Sequence, residues 1–206
     1  MKLLRASDYK RMPWKNGGGE TVEIAVFPAG ASVDDFDWRI SMATVAGDGP
    51  FSIFPGVDRT LSILSGSGMA LVIDDADALI LTQESEPLPF AADLPVNAAL
   101  TEGSITDLNV MTRRGRFRHS VERVKGNFSI GKATSDETVF LLATGYISTT
   151  SGNVHFSLAA LDALLVDDAC TVITGDIACY VIRLMERRRI SAARLQRYPA
   201  GTVRRF

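Results

Sequence analysis

Two stretches of the chain alternate strictly between apolar and polar residues. The first, residues 36–45, carries on one face Phe36, Trp38, Ile40 and Met42, and on the other Asp37, Arg39 and Ser41. The second, residues 105–115, carries on one face Leu108 and Val110, and on the other Asp107, Asn109 and Arg113. A period of two residues is typical of a β-strand whose faces meet different surroundings. We therefore predict two strands, each with a polar face that borders either solvent or the interior of a small barrel.

The stretch between them, residues 49–73, is rich in glycine and proline. Within it, residues 60–64 and Met69–Ile73 are short, apolar and partly β-branched, which favours strands. The link at residues 65–68 is Ser-Gly-Ser-Gly, and glycine adopts positive φ angles readily. We predict a β-hairpin from these two strands. Asp58 and Arg59 then lie at its end, either in a solvated turn or in a site at the mouth of a barrel.

Short apolar segments separated by turn residues continue along the rest of the chain. We predict further strands at residues 21–27, 78–82, 121–133, 138–144, 154–158, 163–166, 170–174 and 177–184. Residues 83–95 are polar and proline-rich, and predict a loop or an edge strand. Residues 157–165 fit either a strand or a short helix. Many short strands with few helices indicate an all-β sandwich or barrel.

Two segments of the first half resemble segments of the second half, in the same order. Residues 58–66 resemble residues 136–145, and residues 71–76 resemble residues 164–169. These matches agree with two similar β-barrels packed together. We predict a first barrel at residues 1–115, a second at residues 116–185 and a basic tail at residues 186–206.

Length and composition are those of a globular protein with a substantial core. The 206 residues are 46% apolar and 22% charged, and no apolar run approaches the ~18 residues of a membrane span. The first eight residues lack the apolar centre of a signal peptide. We therefore expect a cytoplasmic protein that does not bind membranes.

The net charge of −2 conceals a basic end. Residues 183–206 contain eight arginines and one glutamate, which is a net charge of +7. A nucleic-acid surface would interleave such charges with aromatic residues, and only Tyr198 and Phe206 lie nearby. We expect this tail to lie on the acidic body or to be a loose end, and we expect no nucleic-acid partner.

Residues suited to a metal site are scarce. His119 and His155 are the only histidines and form no His-x-His pair, whereas a metal site in a β-barrel needs two or three histidines. Cys170 and Cys179 flank a turn at residues 174–175 that would place them opposite each other in a hairpin. We interpret them as reduced core residues and not as a redox pair. We predict no bound metal and no cofactor.

Polar and cationic residues share the polar faces of neighbouring predicted strands. They are Arg39, Ser41, Arg59, Asp107, Asn109 and Arg113. A guanidinium group matches a carboxylate through two parallel hydrogen bonds, so this set favours binding a small carboxylate over catalysing a reaction. Trp14 precedes a glycine-rich turn at residues 17–19, where backbone N–H groups can approach a ligand. Trp14 either caps a pocket or anchors the N-terminal strand.

Four motifs resemble those of the HutD/Ves family in their order and approximate spacing. They are WKNGGGET at residues 14–21, DFDWRIS at residues 35–41, GPFSIFPGVDR at residues 49–59 and DLNVMTR at residues 107–113. The resemblance covers about the first 115 residues closely and the remainder by general pattern. It implies a bicupin, with two jelly-roll cupin barrels that lack the usual metal ligands. It also implies an association with bacterial histidine utilisation or with stress-responsive genes, through metabolite binding that modulates flux.

The resemblance and the strand faces together place a ligand site at the open end of the first barrel. We predict that the site contains Trp14, Asn16, Arg39, Ser41, Phe54, Arg59, Asn109 and Arg113. The predicted ligand is a small carboxylate such as urocanate or a formylated or formimino glutamate. The predicted function is regulation of histidine utilisation, and whether the protein is a homodimer stays open.

Two other functions also stay open. A metal-free cupin enzyme, such as an isomerase acting on a small acid, would use Asp107 or Glu20 as its general base. A scaffold that binds a protein partner would have a filled barrel and an exposed apolar patch instead of a cavity. A carboxylate buried beside the arginines would favour the enzyme.

Overall fold

The structure is a computed structural model that describes residues 1–14 and 17–187. These residues form nineteen strands: β1 (Lys2–Leu4), β2 (Lys10–Pro13), β3 (Gly19–Phe27), β4 (Trp38–Val45), β5 (Gly49–Pro50), β6 (Val57–Ser65), β7 (Met69–Ile73), β8 (Leu79–Leu81), β9 (Leu88–Ala91), β10 (Val96–Leu100), β11 (Ile105–Arg113), β12 (Phe117–Val124), β13 (Phe128–Ile130), β14 (Glu137–Ala143), β15 (Ile147–Ser151), β16 (Val154–Leu158), β17 (Ala163–Val166), β18 (Cys170–Ile173) and β19 (Cys179–Glu186). One 3-10 turn, Ala6–Asp8, is the only helical element in this part of the chain. The all-β prediction is confirmed, and residues 157–165 contain strand and turn but no helix. Across the described ranges, no helix has the length and hydropathy to cross a membrane.

The strands form four antiparallel sheets. The six-stranded sheet has the order β2-β3-β4-β11-β6-β9, and its four-stranded partner has the order β5-β10-β7-β8. We call this pair the first roll. The second roll pairs a five-stranded sheet, β1-β17-β14-β19-β12, with a four-stranded sheet, β13-β18-β15-β16. Each roll is a jelly roll of two facing sheets, and no described sheet closes on itself into a barrel.

Three apolar cores hold the four sheets together as layers. The core of the first roll includes Leu61, Ile63, Met69 and Leu71, and that of the second includes Leu141, Leu164 and Val172. A third core lies between the six-stranded and five-stranded sheets and includes Ile40, Leu108, Val110, Phe140 and Ile182. The two large sheets are therefore buried on both faces, which explains why a polar face on β4 or β11 does not meet bulk solvent.

The two rolls repeat one strand order. The run β4-β11-β6-β9 corresponds to β12-β19-β14-β17, and β5-β10-β7-β8 corresponds to β13-β18-β15-β16. The resemblance between residues 58–66 and 136–145 falls on the equivalent strands β6 and β14. The resemblance between residues 71–76 and 164–169 joins β7 to β17, which are not equivalent, so that match is incidental.

The N-terminal strand crosses from one half of the chain to the other. Residues Lys2, Leu3 and Leu4 of β1 pair with β17 of the second roll. The predicted boundaries at residues 115 and 185 stay a prediction. Most of the predicted basic tail, from residue 188 onward, lies outside the described residues.

The predicted hairpin between residues 60–64 and Met69–Ile73 is wrong. Strand β6 pairs with β9 and β11, whereas β7 pairs with β8 and β10. The link carries the chain from one sheet of the first roll to the other, and its glycines pack closely against neighbouring backbone. A Cβ atom at Gly66 would lie 2.6 Å from the Ser104 carbonyl oxygen, and one at Gly68 would lie 2.2 Å from that of Leu81. The glycines therefore serve this close packing and not a hairpin turn.

The expected placement of Cys170 opposite Cys179 in a hairpin is also wrong. Cys170 pairs with Ile130 in one sheet of the second roll, and Cys179 pairs with Ala143 in the other. Both are free thiols in the core between those sheets, which agrees with their interpretation as core residues. Burial raises the pKa of the Cys179 thiol to about 12, so that this thiol is protonated at neutral pH.

Candidate functional site

A cavity of about 720 Å³ lies inside the first roll. Its lining residues are Trp14, Thr21, Val33, Arg39, Ser41, Ala43, Val45, Pro50, Phe51, Ser52, Phe54, Arg59, Asp107, Asn109 and Met111. Four polar residues of its floor are buried, Arg39, Ser41, Arg59 and Asp107, and Asn109 is half-buried, whereas Val33, Pro50 and Ser52 at its rim are exposed. Volume and lining are those of a small-molecule site, with apolar walls and a few convergent polar groups.

Three neighbouring strands, aligned in register, form the floor. Met111 of β11 lies opposite both Arg39 of β4 and Arg59 of β6. One row further along, Asn109 lies opposite Ser41. Because residues two apart on a strand share a face, these rows all point into the cavity. The two arginines flank Met111, with their Cα atoms about 10 Å apart, two strand spacings.

Arg59 is a buried cation with few hydrogen-bond partners. The residue is 5% exposed, and its guanidinium carbon lies 5.3 Å from the ring centroids of Phe51 and Phe54 and 5.8 Å from that of Phe90. Its Nη2 donates a long hydrogen bond of 3.3 Å to the Ser52 carbonyl, and its Nε is buried without an acceptor among the described residues. Burial lowers the pKa of Arg59 to about 10, which leaves the group charged at neutral pH. An acceptor from a ligand would relieve the cost of the unpaired Nε–H.

Asp107 is the buried acid of the floor. It is 1% exposed, and the amide nitrogen Nδ2 of Asn109 donates a short hydrogen bond to its Oδ1. Burial raises the pKa of Asp107 to about 7, and the positive charge of Arg59 limits that rise. The carboxyl group therefore gains or loses its proton close to neutral pH, which is unusual for an aspartate.

Arg39 already has a counterion. Its Nε donates to Glu23 Oε2 over 2.8 Å, and the two side chains are only 6% and 15% exposed. Glu23 belongs to β3 and lies opposite Ser41 of β4. This ion pair holds the Arg39 guanidinium at the wall of the cavity, so the two arginines differ: Arg39 is paired and Arg59 is not.

Trp14 forms part of the cavity wall and also packs against the core of the first roll. Its indole N–H donates a 2.8 Å hydrogen bond to Thr21 Oγ1, and both residues line the cavity. Both interpretations of Trp14 therefore hold, as a pocket residue and as an anchor. Gly19 lies beneath the indole, where the backbone of β3 passes close to β4.

Replacing Gly19 by alanine is expected to destabilise the protein and to displace Trp14. A Cβ atom at residue 19 would lie 2.1 Å from the Thr44 carbonyl oxygen and 3.0 Å from the Trp14 ring. The backbone must shift, and overpacking of this kind costs about 1–3 kcal/mol. We expect thermal unfolding to show Tm lowered by several degrees. Gly47→Ala is the control, because a Cβ there meets nothing within 4 Å. Equal Tm values for the two variants would contradict the proposed close contact.

Six of the eight predicted site residues line the cavity: Trp14, Arg39, Ser41, Phe54, Arg59 and Asn109. Asn16 lies outside the described residues. Arg113 does not line the cavity, although it shares a strand face with Asn109. It ends β11, and its guanidinium donates to the carbonyl oxygens of Asp34 and Phe36 at 2.8 and 3.0 Å. Arg113 therefore holds the segment before β4, and we leave it out of the site.

Phe51, Glu23 and Phe90 contact the arginines and were absent from the predicted set. Phe51 lies in the third motif and could have been found there. Glu23 lies on the polar face of a predicted strand, but nothing in the pattern indicates its ion pair. Phe90 comes from the edge strand β9, which reaches Arg59 only because β9 pairs with β6.

The histidines lie away from the cavity. His119 lies between the rolls with hydrogen bonds to Thr60 and Thr112, and His155 is exposed. Within residues 1–14 and 17–187, no three His, Cys, Asp or Glu side chains cluster closely enough to hold a metal ion. The absence of metal and cofactor in the working protein stays a prediction.

Sequence comparison identifies relatives of this chain. The family model described as HutD matches residues 6–183. An "Uncharacterized 21.2 kDa protein in hutC 3'region" of Pseudomonas putida is 36% identical over 165 residues, which are 77% of this chain and 78% of that protein. A "Protein Ves" of Citrobacter koseri is 41% identical over 127 residues, which are 59% of this chain. The chain spans 64% of the length of that Ves protein.

Solved structures share the fold. The structure of HutD from Pseudomonas fluorescens SBW25 in a formate condition superposes with a TM-score of 0.78 at 32% identity, covering 90% of this chain and 98% of that one. A cupin 2 conserved barrel domain protein from Leptotrichia buccalis, at 8% identity, superposes with a TM-score of 0.54 over 81% of this chain and 88% of its own. The second likeness concerns the fold alone. The predicted cupin jelly-roll architecture is confirmed.

Proposed function

The chain belongs to the HutD family, and from that premise we propose a cupin-like protein associated with histidine utilisation that binds a small carboxylate in the first roll. The observation that carries the proposal is Arg59, a buried guanidinium with an unpaired Nε–H at a cavity of about 720 Å³. The proposed role is regulatory, with occupancy of the cavity by a pathway metabolite modulating flux.

The charges and shape of the cavity favour a carboxylate. A carboxylate accepts two parallel hydrogen bonds from one guanidinium, and a charge-assisted bond contributes about 1.5–3 kcal/mol. The phenyl rings of Phe51 and Phe54 shield Arg59 from water, which strengthens such a bond. The apolar rim can pack against the body of the ligand while the arginine binds its acid group.

The names of relatives support the pathway. The Pseudomonas putida relative is named for its place in the hutC 3'region, and the Pseudomonas fluorescens structure is named HutD. The family resemblance suggests urocanate and the formylated and formimino glutamates as candidate ligands. Each carries a carboxylate attached to a small planar or amide-like group.

Titration calorimetry with these three acids tests the proposal. We expect at least one of them to bind and to raise Tm, because each offers a carboxylate to Arg59. Imidazole and formamide, which carry the nitrogen groups without a carboxylate, serve as controls and should not bind. Failure of all three acids, and of formate as the smallest carboxylate, would contradict a carboxylate site.

A metal-free enzyme is the second candidate, and Asp107 is the observation that favours it. This carboxyl lies buried in the cavity near Arg59 with its pKa raised to about 7, as a general base requires. Glu20, the other candidate base, instead forms an ion pair with Arg11 and does not line the cavity. Exchange of carbon-bound hydrogen of a bound acid in D₂O, followed by NMR and lost in Asp107→Asn, would support this candidate.

The scaffold hypothesis agrees less well with the structure. A scaffold was expected to have a filled interior, whereas the first roll contains a cavity with two buried arginines on its floor. A buried polar group is costly unless it has a partner, so the unpaired Nε–H of Arg59 at this cavity favours a ligand over a scaffold.

A further inference from the structure

We propose that a carboxylate ligand displaces Asp107 as the counterion of Arg59, so that binding of the anion is coupled to protonation of Asp107. This inference rests on the proposed carboxylate site and adds its regulation by pH. Near neutral pH, where Asp107 is partly ionised, a carboxylate bound to Arg59 shifts Asp107 toward its protonated form, which offsets the added negative charge.

The positions of the two residues provide the first argument. Arg59 and Asp107 lie on the adjacent strands β6 and β11 and line the same cavity, both at least nine-tenths buried. They make no direct ion pair: Arg59 donates to the Ser52 carbonyl, and Asp107 accepts from Asn109. Asp107 is thus a counterion that does not touch Arg59. Among the described residues, the Nε–H of Arg59 has no acceptor, so it can donate to an anion that binds closer.

The charges that face Asp107 provide the second argument. Arg59 on β6 and Arg39 on β4 are the cations, and Glu23 on β3 is paired with Arg39. From the opposite four-stranded sheet, the core residues Met69, Leu71, Val96 and Ala98 bring no charge. Among described residues, the floor therefore has two positive and two negative charges when Asp107 is ionised. It has one surplus positive charge when Asp107 is protonated.

A bound monoanion restores neutrality only in the protonated state. With Asp107 ionised, the anion would add a third negative charge to a buried site with two cations, which is unfavourable at low dielectric. With Asp107 protonated, the anion balances the surplus charge of Arg59. Since the free protein already holds the pKa of Asp107 at about 7, the proton is available near neutral pH.

The direction of the pH dependence follows from linkage. An anion bound to Arg59 cancels the charge that holds down the pKa of Asp107 and adds repulsion, so the bound-state pKa is higher than the free-state pKa. Affinity is then greatest below the free-state pKa and falls as pH rises toward the bound-state pKa. Each unit of pKa difference corresponds to a tenfold change in affinity.

A carboxyl NMR titration with formate as the probe tests the coupling. Formate stays ionised over the whole range, so only protein groups titrate. The ¹³C signal of the Asp107 carboxyl is followed from about pH 6 to about pH 9 in saturating sodium formate and in sodium chloride of equal ionic strength. We expect formate to raise the pKa of Asp107 by about one unit and to bind about tenfold more weakly at the alkaline end.

The Asp107→Asn variant provides the matched comparison, because it keeps a polar side chain of the same size but cannot titrate. Its affinity for formate should vary less than twofold over the same range. If this variant does not fold, the wild-type titration alone decides. Formate that binds without moving the pKa of Asp107 would overturn the coupling and leave the proposed function intact. Formate that fails to bind even at the acidic end would overturn the carboxylate site itself, and the coupling with it.

Discussion

Replacing Arg59 by methionine is expected to weaken carboxylate binding by about ten- to a hundredfold. One charge-assisted hydrogen bond contributes about 1.5–3 kcal/mol, and every 1.4 kcal/mol is tenfold in affinity. The loss should be near the upper end, because Arg59 is buried among three phenyl rings and has no closer anionic partner. Titration calorimetry with formate, or with the best of the histidine-pathway acids, measures the change.

The same variant is expected to stay folded. Methionine is unbranched and apolar, so it can occupy the space between Phe51, Phe54 and Phe90 without burying a charge. Removing the guanidinium leaves Asp107 without its cation, and Asp107 then becomes protonated at neutral pH. A thermal-unfolding curve of normal cooperativity would therefore separate a lost contact from a lost fold.

Two further variants sharpen the result. Arg59→Lys keeps the charge but loses the planar fork and the Nε–H, so it should recover only part of the affinity. Arg118→Met makes the identical substitution at an exposed arginine of β12 and should leave binding unchanged. If the Arg59→Met variant is folded and binds the carboxylate as tightly as the parent protein does, the carboxylate site lies elsewhere.

The alternation of β4 and β11 was sufficient to predict most of the cavity floor. A strand has only two faces, so the sequence period alone assigns Arg39 and Ser41 to one of them. Which face of the six-stranded sheet meets the cavity depends on the sheet that packs against its other face. The five-stranded sheet covers Ile40 and Leu108, so the polar face borders the interior of the first roll. The pattern could not distinguish solvent from cavity without that packing.

The strand face on which a residue lies does not tell how far along the roll that residue is, and Arg113 is an example. It shares the face of Asn109, but it ends β11, opposite Val57, beyond the row of the two arginines. Its guanidinium therefore binds backbone carbonyls near the end of the roll. Pairing between strands could not be predicted from the pattern either. Residues 60–64 and Met69–Ile73 were recognised as strands, but the sheet that each joins depends on its partners β11 and β10, which lie further along the chain.

His119 is expected to make the stability of the protein fall as the pH is lowered. Its imidazole lies between the rolls, with Nε2 2.8 Å from Thr60 Oγ1 and Nδ1 2.7 Å from Thr112 Oγ1. Burial lowers its pKa to about 4, against 6.5 for an exposed histidine, and the Asp58 carboxylate opposes that shift only in part. Because the folded-state pKa is the lower one, the contribution is present above about pH 6.5 and is lost as the pH falls toward 4. Over that window it amounts to about 2–3 kcal/mol.

Comparison with His119→Gln isolates this contribution. Glutamine can also donate and accept hydrogen bonds, but it does not titrate. Asp107 titrates in the same window with the opposite sign, since its folded-state pKa is raised to about 7, and both proteins contain it. The difference in urea-unfolding free energy between wild type and His119→Gln should therefore shrink by about 2–3 kcal/mol between about pH 7 and about pH 4.5. The exposed His155, replaced in the same way, should leave the wild-type dependence unchanged. A difference that stays constant with pH would mean that His119 is not held neutral between the rolls.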